Sequence, residues 1–104
     1  MNKQLEAIVK AQCSTKRFSL GNIVATPGAL SVLEKSGQPP LLFLIRHARC
    51  DWGEVGKEDW MANDEGLENG GRLLSAYRTT LGERIWVITE GDRSVTTLLL
   101  PDEY

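Results

Sequence analysis

The 104 residues suffice for one domain with one core, and a chain that is 41% hydrophobic and 25% charged is ordinary for a globular protein. A net charge of −2 weighs against a general nucleic-acid binder, which needs a strongly basic surface. The longest apolar run, Leu41 to Ile45, is far too short to span a membrane, and two cysteines, Cys13 and Cys50, make no disulfide framework.

The N-terminus offers Lys3 and Lys10 but no apolar signal-peptide core, so a cytoplasmic setting with reduced thiols is expected. Asn2 to Gln12 reads as a helix with Leu5, Ile8, Val9 and Gln12 on one stripe, followed by a polar connector over Cys13 to Arg17. This stretch, residues 1–17, reads as peripheral to a single α+β domain. A short strand is expected within Phe18 to Ala25, interrupted by Gly21-Asn22. Thr26-Pro27 opens a helix, because the Thr hydroxyl can cap free amides and Pro suits the first helical position. Ser36-Gly37 closes it. Pro40 to about Arg49 reads as a short helix, with a buried strand as the alternative for Leu41 to Ile45. Lys57 to Asn69 reads as a polar helix anchored by Trp60, Met61 and Leu67, and Asn69-Gly70-Gly71 stops it.

The last third changes character. Arg72 to Thr79, Arg84 to Glu90 and Ser94 to Leu100 are strand-like, with turns at Leu81-Gly82 and Gly91-Asp92. The expected fold is therefore α+β, with N-terminal helices packed on a three- to four-stranded antiparallel β-meander. A two-residue turn at Leu81-Gly82 pairs Tyr77 with Trp86 and Ala76 with Val87. One face then carries Leu74, Ala76, Ile85 and Val87, and the other Ser75, Tyr77, Trp86, Ile88 and Glu90. Helices are expected over one face, and the His47–Trp52 segment or a partner chain over part of the second.

Charge is uneven. Residues 1–49 hold seven Lys/Arg against Glu6 and Glu34, whereas the remainder holds five basic and twelve acidic residues. The acids gather between Asp51 and Glu68, which marks either a partner face or a solvated helix.

His47 is the only histidine, and its ordinary pKa makes it the natural general acid or base. Arg46, Arg49 and Arg72 could hold a phosphate beside it, and Tyr77, Glu90, Arg93, Thr96 and Thr97 add polar groups. His47, Arg72, Tyr77 and Glu90 are the catalytic candidates, for metal-free RNA cleavage. That chemistry needs a base for the 2′-OH, an acid for the leaving oxygen and cations for the phosphorane. The bland alternative places His47 at a helix end as a favourable cation. Arg49, Asp51, Trp52, Asp92 and Arg93 are binding candidates, against the simpler reading that Asp92 shapes a turn and Arg93 pairs locally. Trp52, Trp60 and Trp86 suit either an aromatic surface or the core. His47-x-x-Cys50 with Asp51 and Cys13 lacks the Cys/His pairs of a zinc site, so no metal or other cofactor is expected. Gln38-Pro39-Pro40-Leu41 departs at both ends from the Asn-Pro-Pro-aromatic motif of amino-methyltransferases, and no Gly-rich loop follows a strand.

Several segments carry a resemblance. They are Phe18-Ser19-Leu20-Gly21, Ala25 to Leu30, Arg46-His47, Asp51-Trp52-Gly53, Arg72 to Tyr77, Trp86 to Glu90, Asp92-Arg93-Ser94 and Leu100 to Tyr104. Over about residues 18–104 the chain resembles a family of short bacterial proteins found on chromosomes, plasmids and other mobile elements. Some of these are labelled "type I restriction endonuclease subunit M" or plasmid-related protein. That label implies a methyltransferase, whose motifs this chain lacks. The order of helices before an antiparallel sheet is also similar to the barnase–colicin–RelE-like ribonucleases. Three functions are thus in play. The first is a binding or regulatory protein with a protein partner, serving a mobile element, with a homodimer as one form. The second is a metal-free ribonuclease using His47. The third is an acidic inhibitor of a nucleic-acid-directed defence enzyme. The incomplete catalytic set favours a non-enzyme, and neither a membrane nor nucleic acid is the favoured partner.

Overall fold

A computed structural model describes residues 18–104. The helix expected over Asn2–Gln12, its connector and any approach of Cys13 to Cys50 lie outside the described residues. The elements run β1 (Asn22–Ala25), α1 (Pro27–Ser36), α2 (Pro40–Ala48), α3 (Lys57–Asn69), β2 (Leu73–Arg78), β3 (Arg84–Thr89) and β4 (Val95–Leu99), then a 3-10 turn at Pro101–Glu103. No helix among the described residues is long and apolar enough to cross a membrane.

Local chemistry accounts for the helix ends. The Thr26 hydroxyl accepts from the Ala29 N–H at 3.1 Å, Pro27 fills the first position, and the chain turns out at Gly37. Leu41 to Ile45 is helical rather than a strand, and α2 buries Phe43, Leu44, His47 and Ala48 at helical spacing. It ends on paired reverse bonds, Cys50 N–H to the His47 carbonyl and Asp51 N–H to the Arg46 carbonyl, with Cys50 at φ 68. This turn sends Asp51 to Glu54 back along the sheet.

The sheet order is β1-β4-β3-β2. Strands β2, β3 and β4 form the expected antiparallel meander, whereas β1 pairs with β4 in parallel. The α+β class stands, with the sheet mixed rather than wholly antiparallel. The expected β2–β3 register is wrong by one residue. Tyr77 faces Ile85, Ala76 faces Trp86 and Ser75 faces Val87. The cause is the loop. Thr79 N–H bonds the Glu83 carbonyl, leaving three residues in the turn, with Gly82 at φ 87. A three-residue hairpin closed by a left-handed glycine takes one more residue than a two-residue turn. Each side chain of β2 therefore shares a face with a different set on β3 than expected.

The helix-facing side carries Leu73, Ser75 and Tyr77 of β2, Ile85, Val87 and Thr89 of β3, and Thr96 and Leu98 of β4. Tyr77, Ile85, Val87 and Leu98 form one core with Ile23, Ala29, Val32, Leu33, Phe43, Leu44 and Ala48. Removing this apolar surface from water stabilises the fold by about 25 cal/mol per Å². The outer side carries Leu74, Ala76, Trp86, Ile88, Thr97 and Leu99. It was expected to take part of its cover from His47–Trp52 or from a partner chain; the His47–Trp52 segment lies instead on the helix side and at the β2 edge. Part of its cover comes from the C-terminal residues. Tyr104 packs edge-on to Trp86 at 5.8 Å, and the Arg72 guanidinium lies 5.3 Å from the Tyr104 ring and donates to its hydroxyl.

The free edge of β2 is closed. The Asn63 side chain of α3 accepts from the Leu74 N–H at 2.9 Å and donates to the Leu74 carbonyl at 2.7 Å. One step along, Ala76 N–H bonds the Trp52 carbonyl and the Ala76 carbonyl accepts from Glu54 N–H. Gly53 sits between them at φ 74, where a Cβ would collide with the Ala76 carbonyl oxygen. An edge satisfied this way offers no template to another strand.

Candidate functional site

His47 projects from the last turn of α2 into the sheet and has no exposed surface. Its Nδ1 lies 2.5 Å from the Ser75 hydroxyl and its Nε2 lies 2.9 Å from the Thr89 hydroxyl. Thr89 lies 2.7 Å from its cross-strand partner Thr96, whose hydroxyl donates to the Leu20 carbonyl at 2.7 Å. That last bond sets every direction upstream. Thr96 has spent its proton on Leu20, so it accepts from Thr89. Thr89 then accepts from His47, so the ring carries its proton on Nε2. The bare Nδ1 accepts from Ser75. Each hydroxyl proton thus has an acceptor, and no buried side-chain polar atom among the described residues lacks a partner.

The surroundings keep this line dry. The Phe18 ring meets the imidazole edge-on at 5.3 Å, and Trp52 does so at 5.6 Å. Burial, and then the charge of Arg93, push the His47 pKa down to about 3. The ring is neutral at physiological pH, so it is not the helix-end cation of the simpler reading.

The other catalytic candidates do not gather around it. Tyr77 shares the helix-facing side, but its hydroxyl donates to the Asp51 carbonyl at 2.6 Å, and burial pushes its pKa up. Arg72 and Glu90, 3.6 Å apart, flank the outer side of the sheet. The four candidates therefore lie on both faces of one sheet. Thr96 and Thr97 likewise point to opposite faces, as neighbours in a strand must. Arg46 pairs with Asp51 at 2.7 Å and covers the Tyr77 ring at 4.4 Å.

Among the binding candidates, Arg49 is exposed, while Trp52 is fully buried and donates to Asp64 at 3.3 Å. The Asp51 carboxylate also accepts from Gly53 N–H at 3.2 Å. Asp92 shapes the turn by accepting from the Ser94 N–H and hydroxyl, which lower its pKa. Arg93 donates to the carbonyls of Gly71 at 2.6 Å and Gly66 at 3.0 Å, tying the β3–β4 turn to the end of α3. Among the described residues no cluster of His, Cys, Asp and Glu could hold a metal ion.

What is left open is the outward face of α3. The helix was expected to anchor through Trp60, Met61 and Leu67. Its buried residues are instead Asn63 and Gly66, and Gly66 lets the helix approach Leu73 and Gly71 closely. Trp60 is 39% exposed and Met61 61% exposed. Around them Glu58, Asp59, Asp64, Glu65 and Glu68 are all exposed. Nothing in the sequence singled out Asn63, one polar residue among many in this helix, as the docking residue. Nothing local marked Ser75 or Thr89 as partners of His47.

No family model, curated protein or solved structure matches the chain.

Proposed function

We propose that the chain is a small cytoplasmic binding module that engages a basic protein segment through the outward face of α3. The observation that carries this reading is the exposure of Trp60 and Met61 on a helix already docked by polar contacts. Trp and Met are enriched where interfaces bury surface, and a ring of carboxylates around them selects and steers a partner rich in Lys and Arg. Such a module acts by occupying or releasing its partner rather than by chemistry. The nuclease reading draws no support from His47, whose two nitrogens are both engaged and shielded from solvent.

The test is a quantitative pulldown with wild-type chain and with a Trp60→Ser/Met61→Ser variant of equal thermal stability. A protein recovered in stoichiometric amount by the wild type should fall at least tenfold with the variant, and its recovery should weaken with added salt. Equal recovery by both chains would remove the α3 face from consideration.

A further inference from the structure

The outer side of the sheet carries an apolar band that its own chain covers only in part. We propose that a second copy of this chain packs on that band, sheet against sheet, as a weak two-fold dimer. The surface is separate from α3, which docks at the β2 edge, so the inference goes beyond the partner reading above and does not depend on it.

The composition of the face is the first observation. A sheet face open to water ordinarily alternates to polar side chains. Here one row across all four strands reads Val24, Thr97, Ile88 and Leu74, and the next reads Leu99, Trp86 and Ala76. Neither row holds a charge. Val24 is 43% exposed, and Thr97, Leu74, Trp86 and Ala76 are half-buried. Tyr104 lies against Trp86, while Val24 stays open.

Charge brackets the band. At one end Arg72 pairs with Glu90. At the other, Arg78 and Arg84 face each other across the strands, a juxtaposition of like charges that costs stability. Glu54 pairs with Arg78. Among the described residues Arg84 pairs with no carboxylate, although Glu83 and Asp102 line the same shallow cleft. A two-fold axis along the strands would bring two Arg78–Arg84 ends together. An axis across the strands instead lays β3 over β3 of the second copy, running the opposite way. Each apolar row then meets the other row, and Arg84 lies over the second copy's Glu90, with the reciprocal contact given by symmetry. Packed sheets stand about 10 Å apart, a gap that an Arg and a Glu side chain together bridge.

Size sets the strength. Four strands about 4.8 Å apart, and about 20 Å along β3 from Arg84 to Glu90, give a footprint of about 400 Å² per copy. A stable complex takes about 800 Å² per partner, so this dimer forms only at high concentration.

Sedimentation velocity and amide NMR on the full chain, from about 10 μM to about 1 mM, test the inference. The wild type should move toward twice the monomer mass, with dilution-dependent shifts at the Val24, Leu74 and Thr97 amides and the Trp86 indole. Leu74→Lys, and Val24→Lys at a more exposed site, each place an unpaired charge in the band and should weaken association at least about tenfold at unchanged thermal stability. Arg84→Glu should weaken it as well. Adding Glu90→Arg to Arg84→Glu should restore it, because the exchanged charges meet again between copies. A wild type that stays monomeric over the whole range would overturn the inference, as would dilution shifts confined to α3. No recovery with the exchanged pair would overturn the two-fold arrangement.

Discussion

Thr96→Val tests the buried line through His47 at its controlling link. The change keeps the β-branched shape and deletes one hydroxyl. Two bonds go with it, the donation to the Leu20 carbonyl and the acceptance from Thr89. Each buried bond contributes roughly 0.5–1.5 kcal/mol net, so the expected loss is about 2 kcal/mol. Part of this is recoverable, because the Thr89 hydroxyl can turn to donate to Nε2 if the ring moves its proton to Nδ1 and donates to Ser75. The variant should therefore melt about 10 °C lower and show an inverted tautomer. Chemical denaturation gives the energy, and long-range nitrogen–proton NMR of the single imidazole gives the tautomer. A wild-type ring protonated on Nδ1, or a variant within about 0.5 kcal/mol of wild type, would refute the directional argument.

Other expectations follow from the same geometry. His47 binds its proton at about 3 in the fold against 6.5 in the unfolded chain, so the unfolded state takes up a proton that the fold refuses. Stability is thus full above pH 6.5 and falls toward pH 3, by up to about 1.4 kcal/mol per pH unit from this group. Denaturation at pH 7, 6 and 5 should show that slope in the wild type and lose it in His47→Gln; a flat wild-type profile would mean that the folded ring protonates freely. Asn63→Ala deletes both bonds to Leu74 and should cost about 2 kcal/mol, with faster hydrogen exchange at the Leu74 amide. Unchanged exchange there would show that α3 is held by other means. Gly53→Ala meets both a left-handed backbone and the Ala76 carbonyl, so at least about 2 kcal/mol should be lost, read as a lower denaturation midpoint.

Much of the architecture was legible because it is written locally. Thr26, Pro27 and Gly37 mark α1 by capping chemistry alone, and Gly70 stops α3 by the same logic. What needed the fold was every relation between distant segments. The parallel seat of β1 beside β4 joins residues some seventy positions apart, and no local pattern encodes it. The β2–β3 register turned on whether the Leu81-Gly82 bend held two residues or three, a choice settled by the Thr79–Glu83 bond. The candidate site was partly legible. The acids of α3 stood out in composition, but Trp60 and Met61 were read as anchors because large apolar residues in a polar helix usually are. His47 drew attention as a lone titratable group, whereas its meaning lies in Ser75 and Thr89, 28 and 42 residues further on.

The way α3 is attached has a consequence for how the surface can change. One side-chain amide, Asn63, mimics the edge of a neighbouring strand, and Gly66 lets the helix sit close against the sheet. Asp64 takes the Trp52 indole N–H and the Gly66 carbonyl takes Arg93, whereas outward positions such as Met61 and Glu65 are exposed. The outward residues of α3 can therefore be exchanged for others at little energetic cost to the sheet beneath. The residues that dock the helix and those it presents to solvent are largely separate, so a change in one set need not disturb the other.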